Sequence, residues 1–288
     1  MKTLTAIVLA VSAYAQAPPP PRSDCDASAY LAPGHVAVPC LDVPSIATGM
    51  PAHIDVFTTA AGDKAFGFDT EARLSYDPSN ATLNVAWSNL GDMFLKNTCV
   101  RWRWRRRWIC SNVDATKAHS TPRPLRTPYS TRYSKCNSDM WNQEVVEIFL
   151  GIIPTIAPLA DPTHYIEIEI TPHNALFVNN ISNPFTNGTA KTNTAIDCGA
   201  SGIVHSAATF SSESSWTAEL SIPLNLAFGS GYTPKAGDLM RVNIFRVVME
   251  NDVDACDDSS CAFGCWSSTD TSPSAFHHSN HFGVLRFV

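Results

Sequence analysis

The stretch from His164 to Thr171 reads HYIEIEIT, with isoleucines at 166, 168 and 170 alternating with Tyr165, Glu167, Glu169 and Thr171. Successive side chains of an extended strand point to opposite sides of its sheet, so this period of two puts the isoleucines on one face and the carboxylates on the other. The expectation is a strand with one face in a core and the other wet. The pattern recurs: Val146, Ile148 and Leu150 form one face of a second strand, and Trp216, Ala218, Leu220 and Ile222 one face of a third, which Pro223 stops. Residues 241 to 248 and 283 to 288 read as two more strands. Leu74 to Tyr76 and Leu83 to Trp87 read as a hairpin around Asp77-Pro78-Ser79-Asn80. No stretch sustains a 3.6-residue apolar period over three turns. At least six short strands joined by irregular loops predict an all-β fold, an antiparallel β-sandwich of jelly-roll or immunoglobulin type with long loops.

The beginning of the chain predicts where it goes. Lys2, an apolar run over residues 4 to 13 and the Ala13-Tyr14-Ala15 triplet have the form of a signal peptide, residues 1–15. No later run reaches the roughly 18 to 20 apolar residues a spanning helix needs, so the expected product is secreted and extracellular. Sequons at Asn80, Asn180 and Asn187 fit glycosylation on that route. Nine cysteines fit an oxidising compartment, but the odd count leaves one over. Residues 16–40 are a Pro-rich arm that holds Cys25 and Cys40 and is expected to be tied down by one disulfide, with the pairing of the cysteines left open by the sequence, and residues 41–288 are expected to form a single domain.

Residues 100–135 break the order. They contain RWRWRRRW and hold ten Lys and Arg against one acid, whereas the whole chain has a net charge of −6. The segment is read as a translated intron or a disordered insertion, since GT and AG borders at Val100 and Lys135 are compatible with their codons. Its removal also takes out Cys110, leaving an even number. The functional alternative is an Arg/Trp arm for anionic membranes or nucleic acid.

With Cys99 placed next to Cys136, an ordered series of segments resembles the family 9 carbohydrate-binding modules. The matching pieces are LNVAW at 83–87, WNQEVVEIFL at 141–150, YIEIEITP at 165–172, SWTAELSIPL at 215–224, PKAGDLMRVNIFRV at 234–247 and FHHSNHFGVLRF at 276–287. The resemblance implies a sugar ring held between two aromatic side chains, with carboxylates and amides bonding its hydroxyls. Trp141 matches the first aromatic and Glu147 its partner acid, and both have the parity of the face opposite the core. Phe276 stands where the sugar-binding modules carry a second Trp, Glu169 where they carry an Arg, and Pro273 where they carry an amide. The implied carbohydrate-binding set is Trp141, Glu147, Glu169 and Phe276.

Each of these has a structural alternative. Trp141 can cap the core edge, Glu147 can pair with Arg246, and Phe276 can be framework; Trp216 and Trp266 are read as core. Asp252, Asp254, Asp257 and Asp258 are the only candidate ligands for a structural Ca²⁺, though their loop lacks the Gly and terminal Glu of a hand-type site. Cys256, Cys261 and Cys265 with His277, His278 and His281 could suggest zinc, but disulfides are the expectation for a secreted chain. No nucleophile elbow, zinc-protease motif or phosphate loop is present. The expected function is a secreted, non-catalytic module for a cellulose- or xylan-like poly- or oligosaccharide, accessory to glycoside hydrolases. It needs no cofactor and is expected to be a monomer without nucleic-acid or membrane partners. The alternatives are a haem-binding extracellular sandwich, for which Met93, Met140, Met240 and Met249 supply candidates, and a structural or adhesion scaffold.

Overall fold

The computed structural model describes residues 24–88, 132–152, 158–210, 215–250 and 253–288, and the backbone of 99–101 and 108–110. The strands are β1 Cys40–Val43, β2 Ala52–Ile54, β3 Thr58–Thr59, β4 Glu71–Asp77, β5 Thr82–Ser88, β6 Cys99–Arg101, β7 Trp108–Cys110 and β8 Val145–Gly151. They continue as β9 His164–Ile170, β10 Leu176–Ser182, β11 Thr192–Ala195, β12 Val204–Phe210, β13 Ser215–Pro223, β14 Leu239–Met249, β15 Cys261–Cys265 and β16 Gly283–Phe287. A single helical turn, α1 Asn225–Phe228, follows β13.

Two sheets face each other as a β-sandwich. The larger has nine strands, with the main path β1-β16-β14-β8-β9-β10-β11 and with β15 and β3 continuing from β14; the smaller runs β12-β13-β5-β4-β2. The pairings are antiparallel except for β1, which runs parallel to β16 and so departs from the wholly antiparallel expectation. The hairpin appears where the sequence places it. The Asp77 carboxylate accepts from the Ser79 amide at 2.8 Å and the Ser79 hydroxyl at 2.6 Å, closing the turn between β4 and β5 as an Asx turn.

Between the sheets lies an aliphatic core. Ile166, Ile168 and Ile170 of β9 and Val146, Ile148 and Leu150 of β8 meet Trp87, Trp216, Leu220 and Ile222 from the smaller sheet. Trp216 is fully buried and Trp266 packs at the margin of the same core, as framework residues should. Met240 belongs to this inner layer, Met140 lies on the opposite side of the larger sheet, and Met93 lies outside the described residues.

The outer face of the larger sheet is not wet. Every residue of β8 is buried, as are all but the first of β9 and all but the last of β14. A second apolar layer covers it, built from Phe149, Tyr165, Phe245 and Phe282 at one end and from Met140, Val145, Phe177 and Val247 at the other. Alternation along a strand tells which side chains share a face; it does not tell whether distant loops fold over that face.

Disulfides join Cys25 to Cys40, Cys136 to Cys198 and Cys256 to Cys261, while Cys265 is free and buried. The first fixes the N-terminal arm to β1, and the third takes up two of the three cysteines named as possible zinc donors. β6 and β7 form a separate two-stranded ladder with Cys99 opposite Cys110. The rest of the suspected insertion, 102–107 and 111–131, lies outside the described residues.

Candidate functional site

Four neighbouring strands set one row of side chains across the outer face of the larger sheet. Phe245 on β14 is paired with Glu147 on β8, Glu147 with Glu169 on β9, and Glu169 with Phe177 on β10. The next row reads Asn243, Phe149, Glu167 and Asn179. Two carboxylates in one row and a third beside them are thus brought together by register alone. Glu147, Glu167 and Glu169 are 2%, 6% and 0% exposed, and one oxygen from each lies within 4.8 Å of the others.

Aromatic side chains stand over both ends of the first row. Over Phe177 lies Trp141, edge-on with centroids 5.2 Å apart, and at 39% exposed it is the site aromatic most open to solvent. It sits in the 3-10 turn Met140–Asn142, which is anchored by the fully buried Met140 and by the Cys136–Cys198 bridge four residues before it. Neighbouring Asn137 donates to the Ile196 carbonyl at 2.8 Å and accepts from the Val178 amide at 2.8 Å. At the other end Phe276 stacks on Phe245, with centroids 4.2 Å apart and an interplanar angle of 17°, and meets Phe263 edge-on. One face of Phe276 is therefore occupied by the framework. Pro273, at the position of the family's amide, is exposed.

Beside Phe276, His277 stacks on Phe149 with centroids 5.3 Å apart. Lys191 Nζ lies 2.6 Å from His277 Nε2 and donates to it, so Nδ1 carries the proton that is shared with the Tyr165 hydroxyl at 2.6 Å. Burial, reinforced by Lys191 and His278, pushes the His277 imidazole down to about 3, which keeps it neutral. Its loop is held by Asn183, which donates to the His277 carbonyl at 2.7 Å, and by the fully buried Arg241, which donates to the Phe282 and Asn280 carbonyls, both at 2.9 Å.

Burial drives the electrostatics of the glutamates. It pushes the Glu167 carboxyl up to about 7, with Lys191 opposing. Burial and then the charge of Glu167 push Glu147 well above the usual carboxylate range. Glu169 rises for the same reason, with Glu147, Glu167 and Asp139 adding repulsion. Compare Glu144, also buried. Its carboxylate accepts from Arg246 at 3.1 Å, the Trp216 indole at 3.1 Å and the Met249 amide at 3.3 Å. Arg246 pairs by register with Val146 and points into the inner layer, so its partner is Glu144 and not Glu147, for which that pair was the structural alternative. Glu147 stays on the opposite face.

The set implied by the resemblance leaves out Glu167, Asn179, Lys191 and His277, of which the sequence offers Glu167 only as a possible carboxylate partner of Glu147 and His277 only as a possible zinc ligand. The parity of Glu167 with Glu169 carried a usable signal. The other three are brought in by loop and register geometry that local pattern does not encode. In the acidic loop, Asp254 pairs with Arg132, Asp257 accepts from Ser259 and Ser260, Asp258 accepts from the Ser274 amide, and Asp252 lies outside the described residues. Asp257 thus closes a local turn, while Asp254 and Asp258 each bond a separate segment. A cleft lined by residues between Asp55 and Glu71 contains none of the three glutamates.

The carboxylate spacing bears on chemistry. Retaining glycosidases hold their two carboxyl groups roughly 5 to 5.5 Å apart and inverting ones roughly 6.5 to 9.5 Å apart, on either side of the bond they cleave. Here the carboxyl groups lie side by side on one sheet face, one oxygen from each within 4.8 Å of the others.

Three comparisons place the chain among known proteins. No family model matches it. A protein of Arthroderma benhamiae named "Extracellular protein" is 30% identical over 228 residues, covering 78% of this chain and 93% of the relative. In structure, a crystallised Bacteroides uniformis protein described as a "putative carbohydrate-binding protein" aligns with a TM-score of 0.56 at 13% identity, over 86% of this chain and 99% of that one. A family 9 carbohydrate-binding module from Caldicellulosiruptor kristjanssonii, in complex with cellotriose, aligns at 0.45 with 10% identity, over 86% and 93%.

Proposed function

This chain belongs to the family of the Arthroderma benhamiae extracellular protein, and we propose that it is a secreted, non-catalytic module that binds carbohydrate on the outer face of its larger sheet. The observation that carries this reading is the first row: two buried carboxylates flanked by Trp141 at one end and Phe276 at the other. Pyranose rings present C–H faces that pack on aromatic rings and hydroxyl edges that donate to carboxylates. The outer face offers both within a few strand spacings of about 4.8 Å each. Its sandwich is shared with the Bacteroides uniformis protein, whose description names the same class of ligand.

Trp141 supplies the stacking surface. Glu147 and Glu169 lie buried beneath it, and the free side of Phe276 bounds the far end. The ligand class is a β-linked plant or cell-wall glycan such as cellulose or xylan, and the module assists hydrolases that act on it. Secretion is supported by the relative's name and by three disulfides. The sequon residues Asn80, Asn180 and Asn187 are all exposed, which leaves them open to glycan attachment.

Affinity electrophoresis through gels containing soluble cellulose or xylan tests the reading. Wild type is expected to be retarded, and Trp141→Ala to lose most of the retardation, since stacking of this kind contributes about 1 kcal/mol. Free migration of the wild type in every glycan gel would contradict the proposal.

A further inference from the structure

The polar interior of the outer face contains more acceptors than the protein supplies donors for. Glu147 Oε1, both Glu169 carboxylate oxygens and Asn179 Oδ1 are buried without a hydrogen-bond partner. Asn179 is 2% exposed and stands directly beside Glu167 in the second row, on the same face. At the other end of that row Asn243, fully buried as well, has its amide oxygen satisfied by the Ser267 amide at 3.0 Å and the Ile244 amide at 2.9 Å. The same residue type in the same row is thus satisfied away from the glutamates and orphaned beside them. A buried acceptor without a donor is strongly disfavoured, so four of them in one place, all oxygens, describe a site for a cation.

We propose that Glu147, Glu167 and Glu169, together with the side-chain oxygen of Asn179, hold one Ca²⁺ ion on the outer face of the larger sheet. The inference goes beyond carbohydrate binding and does not rest on it. Hard oxygen donors without an accepting nitrogen or sulfur among them select Ca²⁺ or Mg²⁺ over softer metals. Ca²⁺ accepts six to eight oxygens at about 2.3 to 2.6 Å in irregular arrangements, so ligands on opposite sides of it stand about 4.6 to 5.2 Å apart. The three carboxylate oxygens fall within that sphere at no more than 4.8 Å from one another. Mg²⁺ demands near-octahedral geometry at about 2.1 Å and keeps several waters, which a closed face built from three strands does not favour. Charge closes as well: three carboxylates are balanced by one divalent ion and the Lys191 ammonium, the cation that acts on all three.

The test uses the full chain, stripped with EDTA, dialysed at pH 7.5 and titrated with CaCl₂ by calorimetry and thermal melting. One site per chain is expected, with the melting temperature rising by about 5 to 10 °C at a hundredfold excess over Kd. Glu169→Gln should weaken Ca²⁺ binding at least tenfold while its stripped form melts no lower than stripped wild type, because one repelling charge is gone. Asn179→Ala should weaken it less, and Mg²⁺ at equal concentration should give a much smaller shift. Should the stripped chain unfold, protein equilibrated with Ca²⁺ and desalted is analysed by elemental mass spectrometry, with one Ca per chain expected. No heat and no shift up to 10 mM Ca²⁺ in folded stripped protein, far less than one Ca per chain, or an undiminished response in Glu169→Gln would overturn the proposal. Trp141→Ala serves as the control that separates the two readings: it should lose glycan retention and keep the Ca²⁺ response.

Discussion

The two sheets of this sandwich treat alternation differently. In the smaller sheet β13 alternates in both chemistry and burial: Trp216, Ala218, Leu220 and Ile222 are buried, and the residues between them are half-exposed. In the larger sheet β9 alternates as strictly in chemistry, yet its carboxylates are as buried as its isoleucines. The smaller sheet shows what alternation means when one face meets solvent. The larger shows a polar face that loops have closed over, which desolvates its carboxylates and so needs a compensating role. The binding and cation sites proposed above are that role.

The sharpest way to break this contrast is to remove a buried glutamate from each layer. Glu144→Ala would leave Arg246 buried without its carboxylate and should cost about 3 to 5 kcal/mol in urea unfolding. Glu169→Gln, equally buried but without a counter-ion side chain to orphan, should cost far less in the absence of Ca²⁺. Equal losses would mean that the two buried acids do the same work.

A core truncation comes next. Ile168→Ala, on the inner side of the strand that carries Glu167 and Glu169, should destabilise by about 2 to 4 kcal/mol through the cavity it leaves. Ca²⁺ response and glycan retention per folded molecule should be unchanged. Loss of either function in the folded variant would tie the two faces together.

The pH dependence of stripped protein sharpens the comparison further. Glu167 titrates near 7 in the folded chain against an ordinary 4.5. Its contribution is therefore fully present below about 4.5 and lost as pH rises through 7. Glu147 and Glu169 shift in the same direction, and Lys191 and Asp139 face the cluster. His277, near 3 against 6.5, works oppositely and costs stability as pH falls from 6.5 towards 3. Melting temperatures of stripped protein should fall between pH 6.5 and 8, and saturating Ca²⁺ should flatten or reverse that fall. A smaller effect is expected at the edge strand β12, where exposed Thr209→Val should change stability by no more than about 0.5 kcal/mol.

How much of this could be read beforehand follows from the range of each interaction. The positions of β4, β5, β8, β9, β13, β14 and β16, the Asp77 hairpin and the side of β8 on which Glu147 falls are local consequences of period two, and these stood in the sequence. The Cys25–Cys40 bridge joins residues only 15 apart, and a disulfide in that arm was legible, though the pairings of the cysteines were not. By contrast, Lys191 and His277 are separated by 86 residues, and Glu144 meets Arg246 across 102. The cover over the outer face comes from Phe263, Phe276 and Phe282 in segments with weak periodicity. Strand β12, exposed over most of its length, also left no apolar pattern to read, because it is an edge strand whose pairing rests on backbone hydrogen bonds to β13.

The central claim is that this closed polar face binds carbohydrate beside Trp141. It is tested most directly by following the indole N–H resonances of the chain by NMR during titration with cello- and xylo-oligosaccharides. The Trp141 signal should move in a saturable way together with the amides of β8 and β9, while those of Trp87 and Trp216, buried between the sheets, should stay in place. A titration in which other signals move and Trp141 does not, or in which none moves, would contradict the account.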